Sequence, residues 1–189
     1  IGIAGVYFTN TFMIAYTTQY LSLPKTLILD CLFAVAIIQF LVQPLAAWLA
    51  EKLGGARFLK LMALLAMASP YPMFLLVQTR QAPMLVLGIA LAVVCMASFY
   101  SVIAGFVSGV FETRVRYSAI SLSYQVCGAV AGGLTPLVGT ILAQRFHGEW
   151  WPLAVFYTLL AGVSLVSIIA VDARQRGRTT ATDVDAVQA

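Results

Sequence analysis

Six stretches of this chain carry no charged residue: 1–24, 31–50, 61–79, 81–111, 117–144 and 150–171. A helix needs about 20 apolar residues to cross about 30 Å of hydrocarbon, and each stretch is near or above that length. No water reaches the hydrocarbon, so the backbone must satisfy its own hydrogen bonds there, which a helix does within one segment. The runs predict an all-α integral membrane protein with six transmembrane helices, over about 1–21, 27–50, 58–77, 84–107, 118–143 and 152–171. Residues 172–189 are charged and then rich in Ala, Thr and Asp, and are expected to form a disordered cytoplasmic tail. Only 10% of the chain is charged, against about a quarter in soluble proteins, which removes the soluble classes from consideration.

The net charge of +4 is not a nucleic-acid signal, because the position of the bases matters more than their sum. Six spans put both ends of the chain on one side of the membrane. That side collects Lys52, Arg57, Lys60, Arg114, Arg116, Arg174, Arg176 and Arg178, leaving Lys25, Arg80 and Arg145 on the other. Eight against three is the bias of cytoplasmic loops, so both termini are expected in the cytoplasm.

Little in the chain supports chemistry. Cys31, Cys95 and Cys127 all fall inside spans without metal-ligand spacing and read as small apolar packing residues. His147 is alone in an outer turn. There is no nucleophile–base pair, phosphate loop or ligand cluster, so neither an enzyme nor a cofactor or metal is expected. The chain begins at Ile1, inside an apolar run and without a signal-peptide pattern, and reads as a piece of something longer.

Polar groups within the spans are the informative exceptions. In the first, Tyr7, Asn10, Thr11, Thr17 and Thr18 recur at intervals that let them share one helix face. Such a stripe serves either as glue between helices or as a solute-facing wall. The second span holds Asp30, the one acid placed inside any span, near its outer end. Its carboxylate either reaches interfacial water or marks a proton pathway. Gln39 and Gln43 share a face, Pro44 suggests a kink, and Trp48 fits an inner aromatic belt. The third span carries Pro70 and Pro72 and reads as peripheral scaffold, as does the sixth; the fourth offers Tyr100 and Ser101. In the fifth, Ser121, Tyr124, Gly128 and Thr135 fall at near-helical spacing beside Gln125, and its glycines permit close approach and bending around Pro136.

The segment Ala47-Trp48-Leu49-Ala50-Glu51-Lys52-Leu53-Gly54-Gly55-Ala56-Arg57 resembles the signature loop of the major facilitator superfamily. That loop has a Gly, three residues, then Asp, a base, Gly and further bases, and it follows the second span of each six-helix half. Ala47 replaces the first Gly and Glu51 the Asp, a decay that favours the C-terminal half. The run FETRVRYSAISLSYQ with AGGLTPLVGTIL is similar to the metabolite:proton symporters within that superfamily, carriers for shikimate, α-ketoglutarate, citrate and betaine-type osmolytes. Phe111, Thr113, Arg114, Val115, Arg116 and Tyr117 match that family's loop before its eleventh span, and Gly132, Gly133 and Pro136 match the element within it. Glu112 stands where Pro is usual, and Gly109 where an acid is frequent.

The resemblance implies six helices corresponding to spans seven to twelve of a twelve-span carrier. Its expected function is proton-coupled symport of a small organic acid or osmolyte by alternating access, in a bacterial inner membrane. Asn10, Thr11, Gln39, Tyr100, Tyr124 and Gln125 would contribute to one wall of the solute site, with Asp30 the candidate for proton coupling. Glu51, Lys52, Gly54, Arg57, Glu112, Arg114 and Arg116 would form the cytoplasmic gate loops. The partners implied are the solute, protons, the lipid bilayer and the missing N-terminal half, with no nucleic acid. A sugar or drug transporter of the same fold without proton coupling is one alternative. A non-transporting half that needs a partner half is the other.

Overall fold

The computed structural model describes residues 2–111 and 114–188, with side chains described as far as Gln175. The helices are α1 (Gly2–Val6), α2 (Met13–Gln19), α3 (Lys25–Leu53), α4 (Gly55–Ala68), α5 (Pro70–Val77), α6 (Ala82–Ser108), α7 (Arg116–Cys127), α8 (Gly133–Arg145) and α9 (Trp151–Gln188). Two π-helical turns, Tyr7–Phe12 and Gly128–Gly132, join α1 to α2 and α7 to α8. No strand occurs among the described residues.

Five helical stretches are long and apolar enough to cross a membrane: Lys25–Leu53, Gly55–Val77, Ala82–Ser108, Arg116–Arg145 and Trp151–Gln175. The first stretch, residues 2–19, is helical throughout but is not among them. Asn10, Gln19 and four threonines dilute its apolar content. The last span runs past residue 171, so Asp172 lies within it. α9 continues as helix to Gln188, and the tail expected there lies mostly beyond the described side chains.

Helix α6 is the axis of the bundle. It buries Leu85, Ile89, Val93, Met96 and Phe99 and packs against α1, α3, α4 and α5. Pro83 opens it within the first turn, where its missing N–H has no partner to lose. At Gly88 the neighbouring helix comes so close that a Cβ would lie 2.9 Å from the Met73 carbonyl oxygen. Small residues at such points let membrane helices gain van der Waals contact, because lipid supplies no hydrophobic drive between them.

Pro70 separates α4 from α5 and cannot donate to the Ala66 carbonyl one turn earlier. The Ser69 hydroxyl donates to that oxygen at 3.1 Å instead. Thr158 of α9 reaches across to the Met67 carbonyl at 2.9 Å. The break is thereby satisfied without water, which keeps the span intact in hydrocarbon. Pro44 lies inside α3, which stays helical through it. Between α3 and α4 the connection is one residue, Gly54, whose φ of +85° suits glycine. Glu51 and Lys52 are thus the last turn of α3 and Arg57 the first of α4, so this segment, expected to be a loop, consists of helix ends.

An aromatic cluster fixes the end of the bundle that holds the α8–α9 turn. Phe8 lies 5.0 Å from Phe12, 5.2 Å from Tyr157 and 6.2 Å from Phe74, ring centre to ring centre. Tyr16 stands edge-on to Phe74 at 5.6 Å and donates its hydroxyl to the Gly148 carbonyl at 2.9 Å. Helices α2, α5 and the α8–α9 turn are therefore pinned together. Helix α7, toward the opposite end, contrasts sharply, for it buries none of its residues.

Gly88→Ala should destabilise the bundle by about 1–3 kcal/mol, because the added methyl meets backbone rather than a flexible side chain. Gly105→Ala on the same helix, with nothing within 4 Å, should be neutral or stabilising by about 0.5–1 kcal/mol. Unfolding in detergent micelles checks the pair.

Candidate functional site

The faces left open by packing differ in chemistry. On α9 they present Leu159, Val163, Val166 and Ile169, and on α4 Leu61, Leu64 and Leu65. Those are surfaces for lipid. The first stretch instead exposes Tyr7, Asn10 and Thr11. Isolated polar groups facing hydrocarbon are costly, so a polar open stripe in a membrane helix belongs to an aqueous path or a protein contact.

The π-turn sets where that stripe ends. In an uninterrupted α-helix Asn10 and Thr17 would lie on one side, seven residues apart. The extra residue of the turn rotates everything after it by about a quarter turn or more. Thr17 is consequently buried, its hydroxyl donating to the Met13 carbonyl at 2.6 Å, and Thr18 is half-buried, donating to Ile14 at 2.6 Å. The expected five-residue face is cut to three. The second π-turn lies against this region, with Gly132 so near the Tyr7 ring that a Cβ would come within 2.7 Å of it. Gly128, expected on the same contact face, has nothing within 4 Å.

Tyr100 of α6 and Tyr124 of α7 meet edge to face at 6.2 Å. They border a cavity of about 300 Å³ that also touches Gly2, Ser123, Cys127 and the inner half of α9. Two of the six wall residues read from the sequence are therefore brought into contact. Gln125, next to Tyr124, is exposed but lies off that cavity, as do Asn10 and Thr11. Gln39 is half-buried on α3 and does not line it.

Asp30 is exposed, just inside the outer end of α3. At the other end Lys52 lies over the Trp48 ring, 3.8 Å from its centre. Glu51, Arg57 and Arg114 are exposed, and Arg116 donates through Nε and Nη2 to the Phe111 carbonyl, both at 3.4 Å. Glu112 and Thr113 lie outside the described residues. Among the described residues the ion pair is elsewhere, between Lys60 at the start of the third span and Asp172 at the end of the sixth. The sequence alone places Lys60 among the bases of one side and Asp172 in the tail. The signal was available: a base opening one apolar run and an acid closing another can meet if the two helices are neighbours.

Five membrane-length helices with apolar open faces define a polytopic α-helical membrane protein. Its sequence matches the family model for the Major Facilitator Superfamily over residues 1–184. The chain belongs to that superfamily. It is 30% identical to the shikimate transporter of Escherichia coli (strain K12), over 87% of this chain and 37% of that protein. It is 25% identical to the proline/betaine transporter of the same strain, over 85% and 32%, and 26% identical to its alpha-ketoglutarate permease, over 86% and 38%. The chain therefore spans about a third of the length of these curated relatives. No solved structure matches it.

The Lys60 and Asp172 side chains are 31% and 10% exposed, between the surface case worth under about 1 kcal/mol and the buried one. Asp172→Asn or Lys60→Met should therefore each cost about 1–2 kcal/mol in stability. The exchange Lys60→Asp with Asp172→Lys should recover most of it. An exchange no more stable than the single variants would mean that charge pairing is not what joins these helix ends.

Proposed function

We propose that this chain forms one wall of a secondary carrier that moves a small organic solute, an organic acid or osmolyte, by alternating access. The observation that carries the reading is the open polar stripe of Tyr7, Asn10 and Thr11, which contrasts with the apolar open faces of α4 and α9, together with the Tyr100–Tyr124 pair beside a cavity. Neutral donors and aromatic faces suit a solute that is bound weakly enough to leave. Membership of the superfamily supports transport, and the names of the three relatives support a solute of metabolite size.

The reading extends to parts beyond this chain. The second wall would be a further six-helix half, with residues 2–19 as the first of six spans here and the residues after Gln175 as a cytoplasmic tail. Carriers built from two such repeats rock about a site at the interface near the bilayer midplane. Lys52, Arg57, Lys60, Arg114, Arg116 and Arg174 gather at one end of the helices, while Lys25, Arg80 and Arg145 lie at the other. That distribution supports cytoplasmic termini in a bacterial inner membrane. Glu51, Lys52, Gly54, Arg57, Glu112, Arg114 and Arg116 would then form the cytoplasmic gate. Proton coupling is proposed through Asp30, the acid nearest the outer entrance.

Uptake by the complete carrier in proteoliposomes tests this. Asn10→Ala, Thr11→Ala and Gln125→Ala should each lower kcat/KM roughly tenfold, the effect of one lost hydrogen bond, while Leu159→Ala on the lipid face leaves it unchanged. Asp30→Asn should remove the dependence on a proton gradient. Unchanged uptake in all three wall variants would refute the wall, and gradient-driven uptake by Asp30→Asn would refute that coupling residue.

A further inference from the structure

The cavity behind the tyrosine pair continues toward lipid. Ser123 and Cys127 of α7 form one edge, Val163, Ser167 and Val171 of α9 the other, and α6 closes the back. α7 packs on α6 and on its own π-turn but makes no sizeable contact with α9, which leaves the gap between them. Val163 is 67% exposed on the same face as Leu159 and Val166, so the gap opens where α9 meets lipid.

The lining is more apolar than its residue names suggest. Ser123, Ser164 and Ser167 donate to the Ala119, Leu160 and Val163 carbonyls of their own helices, at 2.7, 3.1 and 2.8 Å. Hydroxyls spent in this way present mainly carbon to the cavity. Its inner end is different. Arg116 opens α7 two turns before Ser123 and on the same side, and exposed Arg174 follows Val171 by three residues on α9. Asp172, the acid closest to this rim on α9, is engaged by Lys60. Arg116 spends two of its five N–H donors on one carbonyl, which leaves others for an anion.

We propose that this gap binds one anionic phospholipid of the inner leaflet, with an acyl chain between α7 and α9 and the phosphate held by Arg116 and Arg174. An apolar slot that opens on hydrocarbon, with an arginine one to two helical turns beyond its lining on each of the two flanking helices, suits such a lipid in both shape and charge. Basic pockets between membrane helices on the cytoplasmic side hold anionic headgroups in this manner. The lipid would fill the space that α7 leaves unpacked and so hold the inner half of the fifth span against α9. The inference needs only the orientation argued above and is independent of which solute is carried.

Native mass spectrometry of the purified chain tests it, with dioleoylphosphatidylglycerol or dioleoylphosphatidylcholine added to the micelle. One phosphatidylglycerol should be retained roughly tenfold or more in preference to phosphatidylcholine, the contribution expected of two arginines near a headgroup. Arg116→Gln with Arg174→Gln should abolish the preference, while Lys25→Gln with Arg80→Gln at the outer end should leave it intact. Ser123→Phe, which fills the slot without touching charge, should abolish retention of both lipids while helicity is unchanged. Equal retention of the two lipids, a preference that survives the double arginine variant, or bound lipid in Ser123→Phe would each overturn the proposal.

Discussion

Hydrocarbon gives helices no reason to associate for the sake of hiding apolar surface, since lipid is as apolar as leucine. Every contact in this bundle must therefore be held by close packing and by hydrogen bonds with nowhere else to go. The end with the α8–α9 turn meets that demand through the rings around Phe8, Tyr16, Phe74 and Tyr157, tied off by the Tyr16 hydroxyl on Gly148. Around α7 it is met only in part: that helix buries nothing, and a cavity remains between it, α6 and α9.

The same solvent makes the open faces readable. A leucine or valine turned outward, as along α4 and α9, costs nothing in lipid. Asn10 turned outward does, unless water, solute or protein meets it. After the π-turn at Tyr7–Phe12 Thr17 is carried inward, while Asn10 and Thr11 stay outward with Tyr7. Its counterpart at Gly128–Gly132 lies against it, with Gly132 beside Tyr7. Two irregular turns packed on each other at one level of the bundle, beside the polar stripe, fit the tendency of π-turns to gather at functional sites.

Much of this architecture was legible in the sequence because charge-free length is a direct physical requirement of crossing a bilayer. The five strongest runs each became a membrane-length helix. The first became a helix whose polar residues are the point of interest. The polar stripe was legible only in part, since intervals of three, four and seven assume an uninterrupted α-helix, and nothing in Tyr7–Phe12 announces an extra residue per turn. Tyr100 and Tyr124 could be named singly, but their contact depends on how α7 leans across α6. Lys60 and Asp172 went unread because charges at the ends of apolar runs look like ordinary loop residues until α4 and α9 prove to be neighbours. The loop at Gly54 shrank to one residue because a helix continued to its limit on both sides satisfies more backbone than a loop does.

The central claim is that one face of the first helix borders an aqueous path rather than lipid. The direct measurement is labelling of single cysteines by a membrane-impermeant thiol reagent, in a complete carrier whose Cys31, Cys95 and Cys127 are replaced by serine. Cysteine at Asn10, Thr11 and Gln125 should react, and its reaction should slow when transported solute is present. Cysteine at Leu159, Val163 and Val166 should not react. No reaction at any of the first three positions, or equal reaction at all six, would contradict the account.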